Sequence, residues 1–178
     1  ALRFTLLQAS LSTLLSLALG AMLALALTRR RFPGRTLALR ALGASMAFPA
    51  IVAIFGVVAA YGRSGYAAQA ARALGFAPDT PLYGLPGILL AHVFFNAPFA
   101  AKLYVSALAA TPSAHGRLAA SLGFRPFDMW RIVDLPALAR ATPQAAGLIF
   151  LLCATSFAPV LTLGGGPASA TLEVAIYQ

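Results

Sequence analysis

His92 and Asn96 stand four residues apart inside an otherwise apolar stretch. That spacing sets both on one face of a helix. Imidazole and carboxamide each donate and accept hydrogen bonds. The pair can therefore tie two helices together or line a polar path through an apolar medium. An interhelical hydrogen bond is the first expectation and a pathway contact the second. Glu173, the one acidic residue of the distal segment, adds a carboxylate that would face either a cation or water. Ser45, in Gly43-Ala44-Ser45-Met46-Ala47, loosely resembles a nucleophile turn with His92 as its base. The turn lacks a second glycine and falls inside a helical run, so an intramembrane hydrolase is a weak alternative. Neither His92 nor His115 has a second ligand at metal-binding spacing. The single cysteine, Cys153, permits no intramolecular disulfide and no thiolate cluster, and reads as a small buried hydrophobe.

The elements that position these groups must be membrane helices. Of 178 residues, 60% are hydrophobic and 10% charged, and the mean hydropathy is +0.84. A soluble domain carries about 25% charged residues, and so few charges cannot cover a soluble surface of this extent. Apolar runs long enough to cross roughly 30 Å of hydrocarbon fall at residues 4–28, 41–61, 85–110 and 141–163, and Lys102 is the one charge within them. Pro49 lies inside the second and Pro98 inside the third, where each removes a backbone bond and bends the helix. The first run is too long for a cleavable signal peptide. A start at Ala1 and a stop just past a polar loop predict a piece of a longer polypeptide.

The net charge of +9 would suggest nucleic acid in a soluble protein. Here the basic residues cluster at the ends of apolar runs, which points to lipid headgroups and membrane orientation and to no nucleic-acid partner. Five arginines, at positions 29, 30, 31, 35 and 40, follow the first run, and five basic residues lie between Lys102 and Arg140. Only Arg3, Arg63 and Arg72 fall on the other side. That asymmetry predicts residues 29–40 and 111–140 in the cytoplasm, with residues 62–83 and the glycine-rich tail outside. Lys102, near the end of its run, is expected to snorkel outward. No strand-period alternation supports a β-barrel.

Residues 111–136 form a polar loop with its own internal order. Pro112 and Ser113 can open a helix, and Gly123 can end it in a left-handed conformation. Arg125-Pro126 begins a new turn, Phe127 to Val133 can form a second short helix, and Pro136 is expected to close it ahead of the next span. Small residues, Ala119, Ala120 and Ser121, let another surface approach closely, while Phe124, Phe127 and Trp130 supply apolar anchors. An ordinary amphipathic loop resting in the headgroups is the alternative reading.

The same stretch resembles the EAA loop of binding-protein-dependent ABC importer permeases, Glu-Ala-Ala-x3-Gly-x9-Ile-x-Leu-Pro. Ala119, Gly123, Leu135 and Pro136 match it, and Val133 stands for the isoleucine. Arg117 replaces the glutamate and Leu118 the first alanine, which removes an acidic residue from the docking helix. A narrower resemblance, over residues 92–178, is to the N-terminal half of the thiamine transport permeases of Gram-negative bacteria. It rests on His92-Val93-Phe94-Phe95-Asn96-Ala97-Pro98, the docking loop, Leu161-Thr162-Leu163-Gly164-Gly165-Gly166-Pro167, and the segment from Thr171 to Gln178. Iron(III) permeases share the general plan and are the competing substrate class.

The resemblance implies an all-α polytopic bundle of the type I ABC importer permease (MetI-like) kind, in the bacterial inner membrane. It implies a non-catalytic subunit that docks on an ABC ATPase dimer through residues 111–136. It further implies a periplasmic substrate-binding protein and a second permease half in the same chain. Transport would proceed by alternating access, with Mg-ATP held by the ATPase and no cofactor on this chain. The residues agree on one point: the only lysine, Lys102, follows Ala100 and Ala101, so no G-x4-G-K-[ST] phosphate loop exists. A channel remains a separate alternative, distinguished by transport that needs no ATP.

Overall fold

The computed structural model describes residues 1–30, 32–44, 50–62, 64–75, 83–112, 118–119, 121, 123–164, 171, 174 and 176. Among them every regular element is a helix. The helices are α1 (Leu2–Arg29), α2 (Arg35–Ala44), α3 (Ala50–Tyr61), α4 (Tyr66–Ala73), α5 (Leu85–Ala109), a short α6 (Pro126–Met129), α7 (Leu135–Ala154) and α8 (Phe157–Leu163). A π-helical turn, Trp130–Asp134, joins α6 to α7.

Among the described residues three stretches are long and apolar enough to cross a bilayer: Leu2–Arg29, Leu85–Ala109 and Phe127–Ala154. They pack on one another through Ala9, Leu17, Ala100, Tyr104, Ala145 and Ile149. α1 and α5 run in the same direction. Ser12 meets His92, and eight residues further along both helices Gly20 meets Ala100. α7 runs against them: Gln8 near the start of α1 bonds the carbonyl of Cys153 near the end of α7, and Arg29 at the end of α1 bonds Asp134.

Parallel α1 and α5 require the chain between them to return across the bundle. α2 packs at the Arg29 end, with Leu42 against Leu27 and Ala101. α3 packs at the opposite end, with Ile54 and Val57 against Ile88, Val160 and Leu163. The run expected over 41–61 is thus met by the end of α2 and by α3. Pro49 and Ser45 lie outside the described residues. α3 alone, at 12 residues, rises about 18 Å, too short to cross hydrocarbon unaided.

α1 has the polarity of a helix whose solvent is lipid. Gln8, Ser12 and Ser16 are fully buried on its inner face, while Leu6, Leu7, Leu11, Leu14 and Leu15 are exposed. Lipid supplies no hydrophobic drive between helices, so close packing and interhelical hydrogen bonds must hold the bundle. Gly20 shows the first device. A Cβ there would come within 2.5 Å of the Ala100 Cβ and 2.9 Å of the Ala101 nitrogen.

The last expected span differs from its sequence reading. The helix does not start afresh after Pro136. It runs from α6 through the π-turn and past Pro136 into α7. The Leu135 N–H reaches back to the Trp130 carbonyl, five residues away, and this widened turn precedes the proline that lacks an N–H. Pro143, within α7, likewise does not end it. The break comes instead at Thr155-Ser156, ahead of α8. The carbonyl of Cys153 beside this break accepts from Ser156 Oγ and from Gln8 Nε2, both at 2.8 Å. A broken helix inside a membrane persists when neighbours satisfy its freed backbone in this way.

Candidate functional site

The helix carrying Leu118 and Ala119 ends at Gly123, whose φ is +69°. The Phe124 N–H bonds the Ala119 carbonyl at 3.0 Å, the long-range bond of a Schellman cap. One carboxylate oxygen of Asp128 accepts from the Arg125 backbone N–H at 3.0 Å, capping the start of α6. The helix–Gly–helix reading therefore holds at both of its junctions. It differs at its far end, where the second helix continues through Pro136, and the expected helix start at Ser113 lies outside the described residues.

This hairpin brings together part of the expected docking set. Ala119 is buried and shares a cleft of about 300 Å³ with Leu118, Phe124, Ile132 and Val133. Leu118 and Leu135 are exposed, and Pro136 is half-buried. Phe127 and Trp130 lie 5.7 Å apart between ring centroids and are also exposed, at 64% and 39%. The hairpin thus presents a row of apolar side chains outward around a glycine turn. Arg117 and Ala120 of the expected set lie outside the described residues, as does Glu173.

The hairpin is fastened to α1. Arg29 donates from Nε to Asp134 Oδ2 at 2.9 Å and from Nη2 to Oδ1, a bidentate pair. Asp134 is 3% exposed. Arg35 adds a bond from Nε to the Leu27 carbonyl at 2.6 Å, which satisfies a carbonyl in the last turn of α1. Lys102 is exposed, as its position near the span end predicted, and its Nζ lies against Gly43 of α2.

His92 and Asn96 are not at the hairpin. Both are buried where α1, α5 and α7 meet. His92 Nδ1 pairs with Ser12 Oγ at 3.0 Å, and Asn96 Nδ2 donates to Cys153 Sγ at 3.3 Å. Each thus makes the interhelical bond that their spacing predicted first. Sequence reasoning missed the partners on α1, although Thr5, Gln8, Ser12 and Ser16 recur at helical spacing along an otherwise Leu- and Ala-rich run. It also missed Asp134, a lone acid between Val133 and Leu135 with five arginines waiting at the end of the first span.

An all-helical bundle with three bilayer-length apolar helices, leucines turned outward and polar groups turned inward, is a polytopic membrane protein. The chain is 49% identical over 176 residues to the thiamine transport system permease protein ThiP of Escherichia coli, and 43% identical over 171 residues to that of Haemophilus influenzae. These matches take in 99% and 96% of this chain. They cover only 33% and 32% of the relatives, so the chain spans about a third of the length of the permeases it matches. A more distant similarity, 28% over 138 residues, is to the sulfate transport system permease protein CysW of Synechococcus elongatus. It covers 78% of this chain and 47% of that relative. No protein-family model matches the chain. The resemblance first read over residues 92–178 therefore extends over nearly all of it.

Proposed function

We propose that this chain forms part of the membrane permease of an ATP-driven importer that moves thiamine or its phosphate esters into the bacterial cytoplasm. The observation that carries this reading is the 49% identity, over 99% of the chain, to a thiamine transport permease. Residues 1–178 act as a single membrane unit with four crossings, α2 and α3 contributing to the second. The hairpin from 111 to 136 faces the cytoplasm and docks on a separate ATPase dimer, which binds Mg-ATP. A periplasmic binding protein delivers substrate on the other side, and a second permease half completes the path. The chain performs no hydrolysis itself.

The geometry supports a mechanical role for the hairpin. Its exposed anchors, Leu118 and Phe127, offer an apolar surface to a groove on the ATPase. The continuous helix from α6 into α7 then makes a stiff lever, and the Arg29–Asp134 pair joins that lever to α1. Closure of the ATPase dimer would move the hairpins together and rock α1 and α7 as one body, the alternating access expected of transporters. Of the pathway candidates, Glu173 is the one whose carboxylate suits the cationic thiazolium of thiamine.

The similarity to a sulfate permease favours a second reading, an importer of another small solute on the same plan, iron(III) included. ATP-dependent uptake into vesicles holding the full permease, its ATPase and its binding protein separates the two. Labelled thiamine should accumulate, and Gly123→Asp should abolish accumulation with the complex still in the membrane. Uptake of iron(III) or sulfate in place of thiamine would keep the importer and replace the substrate. Thiamine uptake that persists without ATP would point to a channel.

A further inference from the structure

A groove of about 720 Å³ opens between the end of α1 and the hairpin. Its floor is the flank of α1 formed by Met22, Leu25 and Ala26. Its mouth carries Arg29, Arg30 and Arg125, with Trp130 on one wall. Asp134, the only acidic residue among the described lining, is already held by Arg29. Among the described residues the side chains of Arg30 and Arg125 take part in no ion pair, and both are exposed. The mouth is thus net cationic with two free guanidiniums.

Depth decides what fits. Met22 lies eight residues before Arg30, about 12 Å deeper along α1. Arg30 stands just past the end of a bilayer-length helix, at headgroup level, so Met22 stands within hydrocarbon. A soluble protein docking from the aqueous side would meet the arginines and leave the floor uncovered. A free anion would do the same. A molecule with an anionic head and an apolar tail covers both. Trp130 beside the mouth suits the same level, where indole rings favour the boundary of lipid and water.

We propose that this groove is a site for one anionic phospholipid. Its phosphate lies between Arg30 and Arg125, and an acyl chain runs along Met22 and Ala26. Basic pockets between helix ends recognise anionic headgroups in this way, and each basic residue near a membrane surface strengthens binding roughly fivefold. The site depends on the membrane embedding of α1 and not on the identity of the transported solute.

The test uses the full-length permease in detergent, titrated with phosphatidylglycerol or phosphatidylcholine and read by native mass spectrometry. Phosphatidylglycerol should bind roughly ten- to thirtyfold more tightly. The R30Q/R125Q double variant should lose most of that preference and leave phosphatidylcholine binding unchanged. R3Q, which removes a charge at the opposite end of α1, should retain it. Ala26→Trp should weaken phosphatidylglycerol by filling the floor, and a photoactivatable acyl chain should label the segment carrying Met22. Undiminished preference in R30Q/R125Q would overturn the site. Competition by glycerol phosphate as strong as by the lipid would make it a plain anion site. Displacement of the lipid on adding the ATPase subunit would give the groove to that protein instead.

Discussion

Arg29 and Asp134, 105 residues apart in the chain, meet through two parallel hydrogen bonds, guanidinium to carboxylate. One ends the first membrane helix and the other sits in the π-turn that starts the last. The fork geometry of arginine suits this contact, and a lysine would not reproduce it.

Asp134→Ala should strand Arg29 and loosen the hairpin from α1. Removing one partner of a buried pair costs about 3–5 kcal/mol. The Arg29 side chain is 45% exposed, so water takes up part of the loss and about 1–2 kcal/mol is expected. Thermal unfolding of the purified permease measures this. If the pair transmits motion, uptake should fall further than stability explains, and the swapped pair R29D/D134R should recover part of it. Equal uptake by Asp134→Ala and the parent protein would limit the pair to a structural role.

Gly123 gives a sharper test because space and backbone separate cleanly there. A Cβ at this position would meet none of the described residues within 4 Å, so the penalty comes from φ at +69°. Holding an L-residue in that region costs about 1–2 kcal/mol. If the hairpin docks as proposed, Gly123→Ala should weaken uptake and ATPase association, while Gly123→Asn, which tolerates the left-handed conformation, should be nearer the parent. Indistinguishable behaviour of Ala and Asn would mean that the turn does not matter to docking.

Gly20 and Gly56 form a matched pair for packing. An added methyl at Gly20 collides with Ala100 and the backbone of Ala101, whereas at Gly56 it meets none of the described residues. Gly20→Ala should destabilise the permease by about 1–3 kcal/mol through overpacking. Gly56→Ala should leave the unfolding temperature level or slightly raised, since alanine is the better helix former. Loss of folded protein in both variants would show that the α1–α5 contact is not the cause.

Much of this architecture was legible because lipid imposes simple rules. Apolar runs of bilayer length marked α1 and α5, and the arginine clusters marked one side of the molecule. Helix spacing put His92 and Asn96 on one face, and Gly123 announced its turn. What stayed hidden depended on partners distant in the chain. Nothing near Ser12 reveals that His92 is 80 residues away in sequence and 3.0 Å away in space. Pro136 misled for a local reason: proline usually ends a helix, and only the π-turn before it lets the helix continue. The break at Thr155-Ser156 carries no glycine or proline of its own, and it stands because Gln8 reaches the freed carbonyl from another helix.

Ser12 and His92 bear the last prediction, which separates a structural bond from a pathway contact. Both side chains are buried, and their hydrogen bond joins the two parallel helices at the centre of the bundle. Interhelical bonds of this kind couple by about 0.6 kcal/mol, up to about 1.7 kcal/mol. Ser12→Ala and His92→Ala should each lower the unfolding temperature, and the double variant should lose less than the two losses combined. With thiamine as the proposed substrate, a structural bond predicts an unchanged KM in Ser12→Ala, with uptake reduced only as folded permease is reduced. A raised KM with an unchanged unfolding temperature would instead put His92 on the path, because substrate would then be the partner that the protein lacks in its absence.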